Sequence, residues 1–263
     1  MATDETLLTE LVQPPLLRVT LNRPQAANAF NTQMAHALLA LWSGLAADPG
    51  AVRCVVLTGA GDRAFCAGAD LKERRGMSDA DWQAQHAVFE RQYWALLDVP
   101  VPVIAAVNGH AFAGGLETML ACDFAYAVPD ARFALTEVTL GIMPGAGGTQ
   151  FLPRAVGERR AKEIILTGRP FGAEEALQWG MVNRLVPREA LMDEVMAAAA
   201  AICDNAPLAV RQAKKSIHTG LQLDLRSGFL FEIEAYNRLV PTADRREGID
   251  AFNARRKPRF EGR

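Results

Sequence analysis

Apolar and polar residues alternate over positions 16–21, the period-two pattern of a half-buried strand. Over 31–47 the apolar positions recur at helical spacing instead, behind Asn31, whose side chain suits a helix cap. Residues 53–58 and 101–107 are short apolar runs of the kind that form buried strands. A helix is predicted over 79–97, begun by Ser78 or Asp79 and closed by Pro100 and Pro102, and another starts at Gly114. Short β segments are expected at 123–127 and around 132–135. From Gly147 on the pattern is helical: 148–155, 157–166, 173–178, 187–203, 206–219 and 226–240. The result is an α/β chain with a core over 1–190 and a helical lobe over 191–263, parted near Pro187. Trp42, Trp82, Trp94 and Trp179 are read as packing residues.

Composition narrows the function classes. The chain has 263 residues, 50% hydrophobic and 22% charged, as expected of a globular protein. A net charge of -2 provides no basic field for nucleic acid, and no apolar run approaches the roughly 20 residues that span a bilayer. The opening residues 1–6 carry neither a secretory nor a transit pattern, and the closing Glu-Gly-Arg is no peroxisomal address. Cysteines at 54, 66, 122 and 203 form no CxxC pair and are expected to be reduced, so a cytoplasmic protein is the simplest reading. Histidines at 36, 86, 110 and 218 lack metal-binding spacing, and no metal site is expected. They read as surface or helix-face residues, with His110 to be watched for its place near a glycine turn. The glycine-rich stretch 144–150 is neither a phosphate loop nor GxGxxG, and no GxSxG occurs.

The chemistry concentrates at turns. In Asn108-Gly-His-Ala-Phe-Ala-Gly-Gly-Leu-Glu117 a strand leads through glycines into a helix with a carboxylate in its first turn. Unpaired N–H groups at such a helix start favour negative charge, and a glycine lets a ligand oxygen approach them. Two further segments repeat the theme. Arg63-Ala-Phe-Cys-Ala-Gly-Ala-Asp-Leu-Lys-Glu73 ends a small-residue turn in Asp70 and Lys72, and Phe133-Ala-Leu-Thr-Glu137 leads into the glycine-rich stretch 144–150. The chain thus offers two candidate backbone donors and two candidate acids.

Together these segments resemble the enoyl-CoA hydratase/isomerase (crotonase) superfamily, in order and spacing, over about residues 17–260. The resemblance rests on Asn22-Arg-Pro with Asn28-Ala29, Cys66-Ala-Gly-Ala-Asp-Leu-Lys72, Gly114-Gly-Leu-Glu117, Cys122-Asp123, Pro144-Gly-Ala-Gly-Gly-Thr-Gln150 and Leu166-Thr-Gly168. Asp244-Arg-Arg-Glu-Gly-Ile-Asp-Ala-Phe252 and Arg255-Arg-Lys257 also fit. It implies a crotonase-like β-β-α spiral core with a C-terminal helical lobe that covers the site, often a neighbouring subunit's, and a homotrimer or homohexamer. It implies a role in fatty-acid or lipid metabolism, acting on an acyl-CoA substrate, with coenzyme A entering as part of that substrate and no separate cofactor. By position in the family motifs, Ala69 and Gly114 are the oxyanion-hole donors, Glu117 is mainly the base on water and Glu137 the acid. The CoA part is expected along Arg23, Ala26, Asn28 and the turn of Ala67, Asp70, Leu71 and Lys72.

The expected activity is enoyl-CoA hydration, with a branched substrate such as a methylglutaconyl-type thioester as a variant. An isomerase that shifts the double bond, or a silent acyl-CoA-binding member, is the alternative. Retention of both glutamates favours hydration. Ala113 stands where many relatives carry a further glycine. Leu116, Leu135 and Thr136 also differ from other members and are expected to line the acyl pocket, shaping chain length and branching.

Overall fold

The computed structural model describes residues 5–12 and 15–263; residues 1–4 of the opening segment discussed above lie outside it. In chain order the elements are β1 (Leu7–Val12), β2 (Leu16–Leu21), α1 (Thr32–Ala47), β3 (Cys54–Gly59), β4 (Ala64–Cys66), α2 (Leu71–Arg74), α3 (Asp79–Leu97), β5 (Val103–Val107) and β6 (His110–Phe112). Then come α4 (Gly114–Ala121), β7 (Phe124–Ala127), β8 (Arg132–Ala134), α5 (Gly148–Val156), α6 (Glu158–Thr167), β9 (Phe171–Gly172), α7 (Ala173–Gln178) and β10 (Arg184–Leu185). The chain closes with α8 (Arg188–Cys203), α9 (Pro207–Gly220), α10 (Leu225–Asn237) and α11 (Ala243–Asn253).

Among the described residues, the strands form one sheet in the order β1-β2-β3-β5-β7-β10 and a smaller one in the order β4-β6-β8-β9. Strands β2, β3, β5, β7 and β10 are parallel, and β1 joins antiparallel at the edge. Three successive turns of the chain, through β3 and β4, β5 and β6, and β7 and β8, each send one strand to the large sheet and the next to the small sheet, and then make a helix. This is the β-β-α spiral implied by the resemblance. β3 and β5 are buried at every position, which is why they read as continuous apolar runs.

Helix α1 starts where Asn31 accepts a hydrogen bond from the Met34 N–H, as its sequence predicts, and buries Met34, Leu38 and Trp42. Ser78 caps α3 in the same way. Helix α8 crosses residue 190 and lays Leu191, Val195, Ala199 and Cys203 into the core, so the packed body continues to Cys203. Beyond it, α9, α10 and α11 bury few residues.

Three strands and one helix are among the elements that were not legible. β1 is an edge strand with one buried residue and no alternation, and α11 has a low apolar content interrupted by Gly248. β4 and β6 have only three residues each, shorter than a periodic pattern needs. The packing role expected of the tryptophans holds for Trp42, but Trp94 is 68% exposed and Trp82 forms a cavity wall.

Where α4 crosses β4 there is no space for a side chain. A Cβ on Gly115 would meet the Cys66 carbonyl oxygen at 2.1 Å and its carbon at 2.6 Å. Gly115→Ala is expected to destabilise the fold by about 3 kcal/mol or more, because backbone must move. Gly44→Ala, in α1 with nothing within 4 Å, should instead stabilise by about 0.5–1 kcal/mol. Chemical-denaturation midpoints of the two variants check the pair.

Candidate active site

The first three turns of the spiral meet at one cavity of about 540 Å³. One wall is the turn between β4 and α2, carrying Ala67, Ala69 and Leu71; opposite it lies the start of α4, with Ala113, Gly114 and Glu117. Thr136 and Glu137 close the side, and Leu140, Ile142, Met143 and the loop 144–146 complete the floor.

The two turns are pressed together. A Cβ on Gly68 would lie 2.8 Å from that of Ala113 and 3.0 Å from the Gly114 nitrogen, and Gly68 has φ +88. The neighbouring chain is zipped alongside: the Phe30 N–H donates to Gly68 O and the Asp70 N–H to Phe30 O, both at 2.8 Å. That pairing uses the Gly68 carbonyl and the Asp70 N–H on either side of Ala69, and the Ala69 N–H has no acceptor among the described residues. Helix α4 has no side-chain cap, so the Gly114 N–H at its start is also without an acceptor among the described residues. Two backbone donors beside one cavity, one at a helix N-terminus, make a place for a negative oxygen.

Ala113 holds φ 49 and ψ −127, a conformation that glycine adopts more readily. Its N–H is tied to Ala134 O at 2.8 Å, and its carbonyl accepts from Leu116 and Glu117. The alanine at this departure therefore stores strain where the chain turns into α4.

Glu117 is 2% exposed; its Oε1 accepts from the Ala146 N–H at 2.9 Å and the Gly148 N–H at 2.7 Å. Burial pushes its pKa up, and the two donors pull it back part of the way. Glu137 begins the short 3₁₀ turn after β8 and is 7% exposed, with Oε2 buried and unpartnered among the described residues. Burial first, then the nearby Glu117 charge, raise its pKa from 4.5 to about 7 against an opposing backbone hydrogen bond. Both candidate acids thus share one cavity, with unlike environments.

Not every residue expected at the site reaches the cavity. Arg23 forms an ion pair with Asp70 at 2.8 Å and donates to Ala29 O at 2.6 Å. Asn28 is fully buried; its side chain accepts from the Arg23 N–H and donates to the carbonyls of Ala60 and Ala64. Asp70 also caps α2. These three side chains bind the turns to each other, while Ala26 and Lys72 lie outside the cavity lining. Leu116 and Leu135, expected to line the acyl pocket, are instead fully buried in the core and outside the lining, Leu116 on α4 and Leu135 just after β8.

One face of α3 was missed. Trp82, His86, Phe89 and Tyr93 recur at helical spacing and all line the cavity. The Tyr93 hydroxyl donates to Gly114 O at 2.6 Å and lies 2.8 Å from the Thr118 hydroxyl, fixing the start of α4. The signal was an aromatic stripe that also carried a histidine. His86, not His110, is the histidine at the site; His110 is exposed and accepts from the Arg132 N–H. Among the described residues no group of three or more His, Cys, Asp or Glu is placed to hold a metal ion.

The family model for enoyl-CoA hydratase/isomerase matches residues 13–263. The chain is 47% identical over 245 residues to YngF of Bacillus subtilis, whose name joins enoyl-CoA hydratase with isomerase, covering 93% of this chain and 94% of that protein. It is 39% identical over 247 residues to the (E)-benzylidenesuccinyl-CoA hydratase of Thauera aromatica, again covering 93% and 94%. The crystal structure of an enoyl-CoA hydratase from Bacillus anthracis superposes with a TM-score of 0.96 at 41% identity, covering 98% of this chain and 100% of that one.

Folding retains the Glu137 proton from pH 4.5 to about 7, where an unfolded glutamate has lost it. Stability should therefore decline as pH rises through that window. Glu137→Gln, which keeps the shape without the charge, is expected to raise the melting temperature by several degrees at pH 8 and to change it little at pH 4. Thermal scans at the two pH values check this.

Proposed function

Given that the chain belongs to the enoyl-CoA hydratase/isomerase family, we propose that it is a hydratase, adding water across the 2,3 double bond of a 2-enoyl-CoA to give a 3-hydroxyacyl-CoA. The observation that carries this reading is the pair of buried carboxylates on one cavity, one supplied with two donors and the other titrating near pH 7. Hydration needs one group to accept a proton and another to give one.

The thioester oxygen accepts from the N–H groups of Ala69 and Gly114, which draws electrons from C3. Water attacks C3 as Glu117 removes its proton; the donors on Oε1 favour the ionised form, and Oε2 has no protein donor among the described residues. The electron pair moves through C2 onto the thioester oxygen, forming an enolate held by the two N–H groups. The enolate collapses as Glu137 delivers its proton to C2. Glu137 suits this step because it is still protonated near neutral pH. Solvent then returns the protons to their starting groups. The two carboxyls are coupled, so their apparent pKa values belong to the pair. An isomerase needs only one such carboxylate, and the second favours hydration.

Coenzyme A arrives with the substrate, along the Arg23–Ala26 segment and the 67–72 turn, which the buried Asn28 and the Arg23–Asp70 ion pair hold in place, and no further cofactor takes part. The assembly is a homotrimer or homohexamer. Large apolar side chains on α9–α11 support this: Leu221 is 72%, Leu225 91% and Phe252 82% exposed. The setting is the cytoplasm, supported by four buried cysteines with free thiols and by the lack of any helix, among the described residues, long and apolar enough to cross a membrane.

With crotonyl-CoA, Glu137→Gln and Glu117→Gln are each expected to lower kcat by about a hundredfold or more with little change in KM, and the double variant should lose little beyond that. An isomerase would show one glutamate dispensable and 3-enoyl-CoA turned over faster than 2-enoyl-CoA is hydrated. Near-full hydration by either single variant removes that residue from the mechanism. Gly114→Pro deletes a donor and should abolish turnover in a folded protein, whereas Ala69→Gly should be mild. A folded, active Gly114→Pro, judged by circular dichroism and turnover, places the oxyanion site elsewhere.

A further inference from the structure

Arg74 ends α2 on the cavity wall and is 8% exposed, yet it forms no ion pair among the described residues. Its Nε donates to Gln85 Oε1 at 2.7 Å, and Gln85 in turn donates to Glu73 at 2.9 Å and to the Thr32 hydroxyl at 2.8 Å. The guanidinium is therefore fixed in direction, while its Nη2 is buried with no partner among the described residues. Glu73, the adjacent carboxylate, is engaged by the Thr32 N–H and Gln85. The guanidinium carbon lies 4.2 Å from the Trp82 ring centre and 5.2 Å from that of Phe89. Stacking supports a cation through its face and leaves its edge donors to others.

The helix gives the scale. Tyr93 touches Gly114, and Phe89 and Trp82 lie four and eleven residues earlier on the same face of α3. At about 1.5 Å per residue, Arg74 stands on the order of 6–16 Å along the helix from the proposed oxyanion site. That distance is within the span of an acyl chain. The floor beside it, Leu140, Ile142 and Met143, is apolar.

We infer that Arg74 receives a carboxylate at the distal end of the acyl chain, so that the substrates of this site are 2-enoyl-CoA thioesters of dicarboxylic acids. The inference rests on the hydratase reading for the reaction, and on the Arg74 geometry alone for the substrate class. A buried guanidinium facing a neutral chain keeps unmet donors, whereas a carboxylate meets them through a fork of charge-assisted bonds. The guanidinium also offsets the repulsion that the Glu117 charge would exert on an acidic substrate.

The test compares kcat/KM for glutaconyl-CoA and 2-hexenedioyl-CoA with 2-pentenoyl-CoA and 2-hexenoyl-CoA, on wild type, Arg74→Met and Arg74→Lys. Wild type is expected to prefer the acid at one of the two lengths by about tenfold or more. Arg74→Met should lower the acid-to-neutral ratio by about ten- to a hundredfold, with Arg74→Lys between. Equal use of acid and neutral chains by wild type overturns the inference and leaves the hydratase reading intact. So does a loss in Arg74→Met shared equally by all four thioesters, the pattern of a contact to the coenzyme A phosphates. If none of the four is hydrated, the reaction reading fails and the inference is decided by calorimetry. Glutaryl-CoA should bind wild type about tenfold more tightly than pentanoyl-CoA, and equal affinity overturns the proposal.

Discussion

Glu117 is kept inside the protein by two backbone N–H groups, and the arrangement of the site follows from that contact. A carboxylate in so dry a place needs donors, and those of Ala146 and Gly148 are supplied by the loop that leads into α5. The contact fixes the loop on α4 and so sets one side of the cavity. It also dictates composition: a Cβ on Gly148 would stand 2.9 Å from the Glu117 oxygen that the loop must reach. The charge so held is one of the two causes that lift Glu137 to about pH 7. One accommodation of a buried charge thereby produces a pair of unlike carboxyls.

The same cavity concentrates what the fold does not satisfy. Buried side-chain atoms without a partner, among the described residues, are Arg74 Nη2, Glu137 Oε2 and Arg211 Nε, and two of these three belong to its lining. Ala113 adds a strained backbone at the same place. Native structures pair nearly all buried polar groups, so unmet ones gathered in one cavity mark a place shaped for a ligand at some expense of stability.

The sequence carried much of this in physical terms. The strand at β3, the caps at Asn31 and Ser78, and the strand-turn-helix theme that places Gly114 and Glu117 are local properties, visible as period, cap residue and glycine. The meeting of Ala69 with Gly114 is not local, since it depends on two sheets fed alternately by the chain, and only the family resemblance anticipated it. The small sheet was opaque because a strand of three residues has no period to detect. The Trp82–Tyr93 face was overlooked because an aromatic stripe usually means core, and only the tertiary fold turns this one toward a cavity. Asn28 and Arg23 are the reverse case: their motif was read as ligand contact, while their side chains knit the turns together.

The central claim is that Glu137 keeps its proton to about pH 7 because one dry cavity holds it beside Glu117. Infrared difference spectroscopy of the carboxyl C=O stretch across a pH titration of the free enzyme measures this directly, with Glu117→Gln and Glu137→Gln assigning the bands. The account predicts a protonated carboxyl that persists to about pH 7, is absent in Glu137→Gln and shifts to lower pH in Glu117→Gln, where the neighbouring charge is gone. Two carboxyls that both ionise in the ordinary range near 4.5, with neither variant moving the other, would contradict it.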